Sequence, residues 1–420
     1  MAVVRAAGRR PVDAAEAPPD WGAAQDALAD RAVRLALERS GEAGVRLREA
    51  GIAHPEPRGV AGLRDVAVLA KDDLPELQAA QPPFGGMLGV DLGVLRRIHR
   101  SPGPINDPEG QRADYWRMAP AFRAAGFERG DVVLNTFSYH LTPGGHMMDA
   151  GLRAVGCVVV AGGVGNTSAQ AAFASQIGAV GYVGTPQFLL ALLERGREDG
   201  IPRTFRRALV SGAPLPHDLR RLLQEGHGVS VFQAYGTADA GAIGYECEAK
   251  DGWHVAPGVV VEVLDPGTRA PCKPGKPGEV VVTSANPVYP LVRFGTGDLS
   301  TFRPDGCDCG RTSPRLAGFL GRTGEGVKVR GMFVHPRQLA EALVGAPGVR
   351  RYQASVTEED HRDVLTVSVD PTEGRQPDLD ALGARLRATT RLRVDVRTVE
   401  CGTLAEDAPP IVDLRERGDG

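Results

Sequence analysis

The sequence predicts an α/β protein in two parts: a large N-terminal part with a parallel sheet, crossover helices and antiparallel hairpins, and a small C-terminal α+β part. Three observations predict it. From Gly130 short apolar strands alternate with helical patterns; after Val229 the strands shorten and Gly/Pro turns multiply; beyond Gly321 the order becomes β-α-β-β-α-β. At about 150 residues per domain, a chain of 420 residues holds two to three domains.

The elements follow in order. Residues 21–50 carry helical periodicity and predict a pair of surface helices, within a helical lead-in over 1–60. DVVLN, CVVVAGG, VGYVG and RALVSG read as parallel strands, because helical patterns (141–155, 167–178, 186–198) separate them. The stretch 259–284, VVVEVLDPGTRAPCKPGKPGEVVVTS, has the turn chemistry of antiparallel hairpins. The last part reads strand KVRGMFV, helix RQLAEALVGA, strands YQASV and VLTVSV, helix LDALGARLRATT and strand VDVRTV. Boundaries are expected at 1–321 and 322–420.

Composition excludes several classes. With 49 basic and 52 acidic residues, the net charge of −3 gives no global attraction to nucleic acid or an anionic membrane, and neither is expected as a partner. No apolar run approaches the roughly eighteen residues of a spanning helix, and the N-terminus lacks a signal-like apolar core, so a cytoplasmic protein is expected. Six cysteines are too few for a disulfide framework in this length. The only lysines are Lys71, Lys250, Lys273, Lys276 and Lys328, so any lysine-dependent chemistry has five candidates.

Three motifs suit a nucleotide. Residues 235–241, YGTADAG, follow the strand VSVFQA, where small residues let backbone amides approach a phosphate. Residues 293–298, RFGTGD, follow a Pro-rich bend, and an Asp on a turn there accepts both hydroxyls of a ribose. Residues 321–331, GRTGEGVKVRG, carry glycines suited to a hinge. Each also reads as an ordinary turn, hairpin or linker. A fourth constellation is metal-like: Cys247 and His254, then Cys307 and Cys309, supply three thiols and an imidazole, the donor set of a closed tetrahedral zinc site. Unrelated buried cysteines are the alternative.

Together with LAKDDL (69–74), NTFSYHLTPGG (135–145), Gly165-Asn166-Thr167 with Gln170, Thr185-Pro186 and Ser211-Gly212-Ala213-Pro214, these motifs resemble the adenylate-forming superfamily. More closely they resemble its phenylacetate-CoA ligase family, over residues from about 60 to the C-terminus. The resemblance implies a large AMP-binding domain and a small lid that rotates between two half-reactions. A carboxylic acid and ATP form an acyl-adenylate, and coenzyme A or a carrier-protein thiol then takes the acyl group. It places Tyr235, Gly236 and Thr237 around adenine and α-phosphate, Gly212, Ala213 and Pro214 beside the adenine, Asp298 on the ribose and Arg322 on the ribose side of the hinge. Tyr139 and His140 fall where relatives line an aryl-acid pocket. Many relatives also share the cysteine and histidine pattern, and four filled protein ligands with no open position make the implied zinc structural. Oligomeric state is left open.

The same comparison of motifs exposes departures. Relatives carry Ser-Ser-Gly-Thr-Thr-Gly-Lys-Pro for the β- and γ-phosphates; here residues 101–108 read SPGPINDP, with two prolines in place of donors and Asp107 and Glu109 nearby to repel a polyphosphate. The C-terminal Gly-Lys-Ala becomes Glu406-Asp407-Ala408, with Asp407 in place of the lysine, and no lysine follows Lys328. The family's Thr-Glu becomes Ala238-Asp239, shortening the carboxylate expected at Mg²⁺ if adenylation is active. Three readings stay open: an enzyme working on a preformed adenylate with Lys328 as the remaining catalytic cation, a non-catalytic AMP or acyl-adenylate binder, and a ligase in which Arg96, Arg97, Arg100 or Arg415 replaces the lost groups.

Overall fold

The computed structural model describes residues 12, 18–323, 327–330, 332–334, 336–405 and 408–415. Chain packing divides it into two compact units, Met1–Leu215 with Arg220–Thr323, and Gly324–Gly420 with the short Pro216–Leu219.

In the first unit the alternating segments build an eight-stranded sheet. Its parallel half runs Ser230–Thr237, Arg207–Val210, Gly181–Gly184, Val132–Asn135, Val158–Ala161, and its antiparallel half continues through Gly241–Tyr245, Trp253–Val255 and Arg315–Leu316. Gly144–Val155, Thr167–Gln176 and Pro186–Glu198 are the crossover helices, the last capped by the Thr185 hydroxyl on Phe188 N with Pro186 in its first turn. A second, largely antiparallel sheet joins Val259–Leu264, Gly278–Ser284 and Leu291–Ser300, with Leu69–Ala70 and Gly321–Arg322 both along Leu291–Ser300. The lead-in is two helices, Trp21–Arg39 and Gly41–Glu49, and Ser40 caps both. Their apolar stripe (Ala29, Val33, Ala36, Ala43, Leu47) packs on Val260 and Val292 of the second sheet, so they are part of the core.

Two expectations change. Tyr235, Gly236 and Thr237 lie inside the strand Ser230–Thr237, with the turn only at Ala238–Ala240, and Asp298 lies inside Leu291–Ser300 instead of on a turn. Both strands carry register shifts, at Tyr235/Gly236 and opposite Gly278–Ser284, and Arg293 and Gly297 adopt positive φ. Bulges let glycine-rich, turn-like sequence stay paired while re-aiming side chains.

The second unit has a four-stranded sheet, Asp395–Thr398, Arg362–Pro371, Val349–Glu359, Ile411–Asp413, backed by Pro336–Leu343 and Leu379–Thr390. Val356, Leu365, Val367, Leu339, Leu382 and Leu386 fill its core. KVRGMFV is not one strand of that sheet: it is a separate hairpin, Val327–Val329 with Met332–Val334, and Ile411–Asp413 takes the edge position by parallel pairing with Val349–Glu359. No described helix is long and apolar enough to cross a membrane.

Candidate functional site

Parallel sheets with crossover helices open a crevice at the carboxyl ends of their strands. Asn135, Gly184, the Ser211–Pro214 loop and Ala238 all sit there. Gly212 has φ +78°, which bends the 211–214 loop back, and Gln187 Nε2 donates to the Pro214 carbonyl at 3.4 Å. A Cβ on Gly236 would stand 2.5 Å from the Gly241 carbonyl, so only glycine permits this close strand approach.

Around the crevice the second sheet supplies polar groups. The Tyr235 hydroxyl donates to Asp298 Oδ2 at 2.9 Å, and its ring stacks on Trp253 with centroids 5.1 Å apart. Arg322 Nε donates to Asp298 Oδ1 at 2.9 Å. Tyr235, Asp298 and Arg322 are therefore one cluster, drawn from three strands. Burial, and next the Asp298 charge, pushes the Tyr235 phenol well above its ordinary value, so it is a neutral donor. Thr237 turns inward on the chain: its hydroxyl accepts from Ala240 N at 3.1 Å.

Beside this lies a charge cluster that sequence reasoning misses. Lys71 Nζ is 2.5 Å from Asp239 Oδ2, with the carboxylate fully buried and the lysine side chain 16% exposed. Asp107 is buried in the hairpin Arg97–Ser101/Ile105–Glu109, which has five paired residues on each side. Gln78 clamps that hairpin by accepting from Asn106 N at 2.7 Å and donating to its carbonyl at 2.9 Å. Burial opposes the charge on Lys71, but Asp239 and Asp107 hold the ammonium above its ordinary value.

Tyr139 and His140 part company. Tyr139 is half-buried, accepting from Asn135 Nδ2 at 2.8 Å with its ring edge-on to His146. His140 is exposed, its backbone N held by Ser138 Oγ. The inward histidines are His146 and His99, whose rings are 5.3 Å apart, and His99 Nε2 is 2.9 Å from Glu109 Oε2. Neither has a sequence pattern; only the hairpin register brings His99 here. Lys328 lies in Val327–Val329 of the second unit, but its side chain is outside the described residues, as is Asp407.

Cys247, His254, Cys307 and Cys309 meet, with ligand atoms all within 4.8 Å. Cys247 Sγ and Cys307 Sγ are 3.7 Å apart, and Cys309 Sγ is 3.3 Å from His254 Nε2. A tetrahedron with metal–sulfur bonds of about 2.3 Å has sulfur–sulfur edges of about 3.8 Å. His254 Nδ1 faces the Ser313 carbonyl at 3.3 Å, which directs the Nε2 lone pair at the thiols. Burial, then the Arg311 charge, lowers this imidazole to about 4, keeping it neutral. The donor set fits a structural divalent cation, with no open position for catalysis.

A profile of AMP-binding enzymes matches residues 111–288. The phenylacetate-coenzyme A ligase of Thermus thermophilus is 30% identical over 78% of this chain and 76% of its own. That of Escherichia coli is 26% identical over 87% of this chain and 89% of its own. In fold, a 2-hydroxyisobutyryl-CoA ligase complexed with 2-HIB-AMP and CoA superposes with a TM-score of 0.88 over 98% of this chain and 94% of that one, at 24% identity.

Proposed function

From the premise that this chain belongs to the phenylacetate-coenzyme A ligase family of AMP-binding enzymes, we infer an acid–thiol ligase whose adenylation half-reaction is weakened. It takes an aryl or related carboxylic acid through an acyl-adenylate to coenzyme A or a carrier-protein thiol. Tyr235, Gly236 and Thr237 hold the adenine and α-phosphate side, Asp298 and Arg322 the ribose, and Gly212, Ala213 and Pro214 flank the adenine. The part beyond Arg322 acts as the lid, with Lys328 as its cation, and Cys247, His254, Cys307 and Cys309 hold a structural zinc.

One observation carries the weakened half-reaction. The corner that must accept a magnesium triphosphate already holds an ion pair, Lys71–Asp239, with a second acid, Asp107, buried beside it. Two of the four candidate arginines are already engaged. Arg97 donates to both Glu109 oxygens at 2.9 and 3.1 Å, and Arg415 pairs with Asp363 and Asp413. Losing one preorganised donor typically costs about 10²- to 10³-fold in rate.

The test sets ATP–pyrophosphate exchange, over a panel of aryl and alkyl acids, against thioester formation from synthetic acyl-adenylates and coenzyme A. Thioester formation with feeble exchange is expected. Robust exchange overturns the weakened half-reaction. AMP binding with neither reaction favours the second reading, a non-catalytic AMP or acyl-adenylate binder, which the same occupied corner supports.

A further inference from the structure

We propose that His146 is a specificity-determining residue of the acid site: its imidazole hydrogen-bonds a hydroxyl carried by the carboxylic acid, so the preferred substrates are hydroxylated aryl or alkyl acids. The proposal rests on the acid–thiol ligase reading above and names the substrate class of that site.

His146 follows the loop 136–143 and lies in the first turn of Gly144–Val155. Two sets of contacts place this segment in the crevice. On one side the Phe137 ring lies over Gly212, where a Cβ would stand 3.2 Å from it. On the other, the His146 ring is 5.3 Å from His99, the His99 ring is 5.7 Å from Trp116, and Trp116 Nε1 donates to the Ala238 carbonyl at 2.9 Å. The segment that carries His146 therefore spans from the 211–214 loop to the turn after Thr237. In the ligase reading, the acyl group leaves the α-phosphate of the adenylate in that interval.

The polar neighbours of His146 are engaged with other groups. The Tyr139 hydroxyl accepts from Asn135 Nδ2 at 2.8 Å and donates to Asp149 Oδ2 at 3.4 Å, and His99 is held by Glu109. His146 differs. Its ring packs against His99 and Tyr139, but among the described residues neither nitrogen has a hydrogen-bond partner, and solvent reaches both.

The chemistry of this group selects what it binds. Burial first, then Arg97 and His99, holds the imidazole below its ordinary value, so it is neutral at neutral pH. A neutral imidazole offers one N–H and one lone pair, and a hydroxyl, which both donates and accepts, is complementary to it. A second carboxylate on the acid gains no cation here, since Arg97 already donates to both Glu109 oxygens. An unsubstituted acid leaves both nitrogens to water.

The experiment is calorimetric titration of the full chain with non-hydrolysable N-acylsulfamoyl adenosines of phenylacetic and butanoic acid, with AMP as a separate titrant. Each analogue is set beside its positional hydroxy isomers and a carboxy-substituted counterpart. At least one hydroxy isomer is expected to bind about five- to ten-fold tighter than its parent, the worth of one neutral hydrogen bond. His146→Leu should bring the two level, and His146→Gln, which keeps a donor and an acceptor, should retain part of the preference. Should His146→Leu not fold, His146→Ala gives the same comparison. Wild-type protein that favours no hydroxy isomer overturns the proposal. So does a preference that survives in His146→Leu, which places the hydroxyl elsewhere, or a carboxy counterpart that outbinds every hydroxy isomer, which makes the site cationic. AMP binding without any hydroxy preference removes this inference alone, whereas failure of AMP and every analogue to bind removes the ligase reading with it.

Discussion

Lys71 Nζ lies 2.5 Å from Asp239 Oδ2, joining a lysine near the start of the fold to a carboxylate 168 residues later. The contact is possible because Leu69–Ala70 pairs in parallel with Phe294–Gly295, which carries Lys71 alongside the strand that also bears Asp298. Removing Lys71 leaves the buried Asp239 carboxylate without its cation. Lys71→Met is expected to destabilise the protein by roughly 3–5 kcal/mol, the cost of breaking a buried pair from one side. Lys71→Met with Asp239→Leu should cost clearly less. Urea unfolding of both decides it, and equal losses would mean the pair is a surface-like contact.

Repair of adenylation should need two sites. ATP is expected to bind no more tightly than AMP, since Pro102 and Pro104 offer no amide and Asp107 no cation. Asp407→Lys alone restores little pyrophosphate exchange, because a lysine at the α-phosphate acts only once the β- and γ-phosphates are held, and groups acting as a unit are not additive. Rebuilding residues 101–108 to the family loop together with Asp407→Lys should exceed the product of the single gains. Full recovery from Asp407→Lys alone would show that the existing hairpin already holds the polyphosphate.

The parallel half of the large sheet was legible because strand and helix periods alternate cleanly from DVVLN to RALVSG. The nucleotide motifs were legible as residues but not as backbone: Tyr235 and Asp298 look like turn residues because glycine surrounds them, and bulges keep such sequence inside strands. KVRGMFV divides at its central Arg330-Gly331, where Arg330 has φ +48°, and so makes a hairpin where one strand was read. Lys71 and His99 escaped because nothing local marks them. Their meaning comes from pairings across the chain, with Asp239 and Glu109, that no window of sequence displays.

Metal content tests the four-residue cluster. About one zinc per chain is expected, lost in Cys307→Ser with Cys309→Ser, and that loss should lower the melting temperature, since binding energy at a structural site is folding energy. Elemental analysis and thermal unfolding suffice. Wild-type protein purified without chelators and free of zinc would reduce the cluster to packed thiols.

Asp298 calls for a probe that respects its partners. Its two oxygens accept from Tyr235 and Arg322, so alanine would also take a charged acceptor away from a phenol and a guanidinium. Asp298→Asn keeps the shape and removes the charge. AMP affinity should fall by roughly 1.5–3 kcal/mol, about ten-fold to a hundred-fold, as a charge-assisted bond to the ribose is lost. Equal calorimetric affinities for both proteins would remove Asp298 from the ribose.

Acid stability should depend on Glu109. Burial alone would raise its carboxyl, but hydrogen bonds from His99 at 2.9 Å and from Arg97 outweigh it, so the folded-state value lies below the ordinary one. A carboxylate depressed by folding contributes stability that is fully present above its unfolded value of about 4.3 and is lost as pH falls through the lower folded value. Glu109→Gln abolishes that contribution at every pH. The variant should therefore be less stable than wild type at neutral pH, by roughly 1–3 kcal/mol, and the gap should close as pH falls below about 4. Urea midpoints at several pH values from neutral down to about 3 trace the two curves. Parallel curves, with the same gap throughout, would mean that Glu109 holds the hairpin by shape and not by charge.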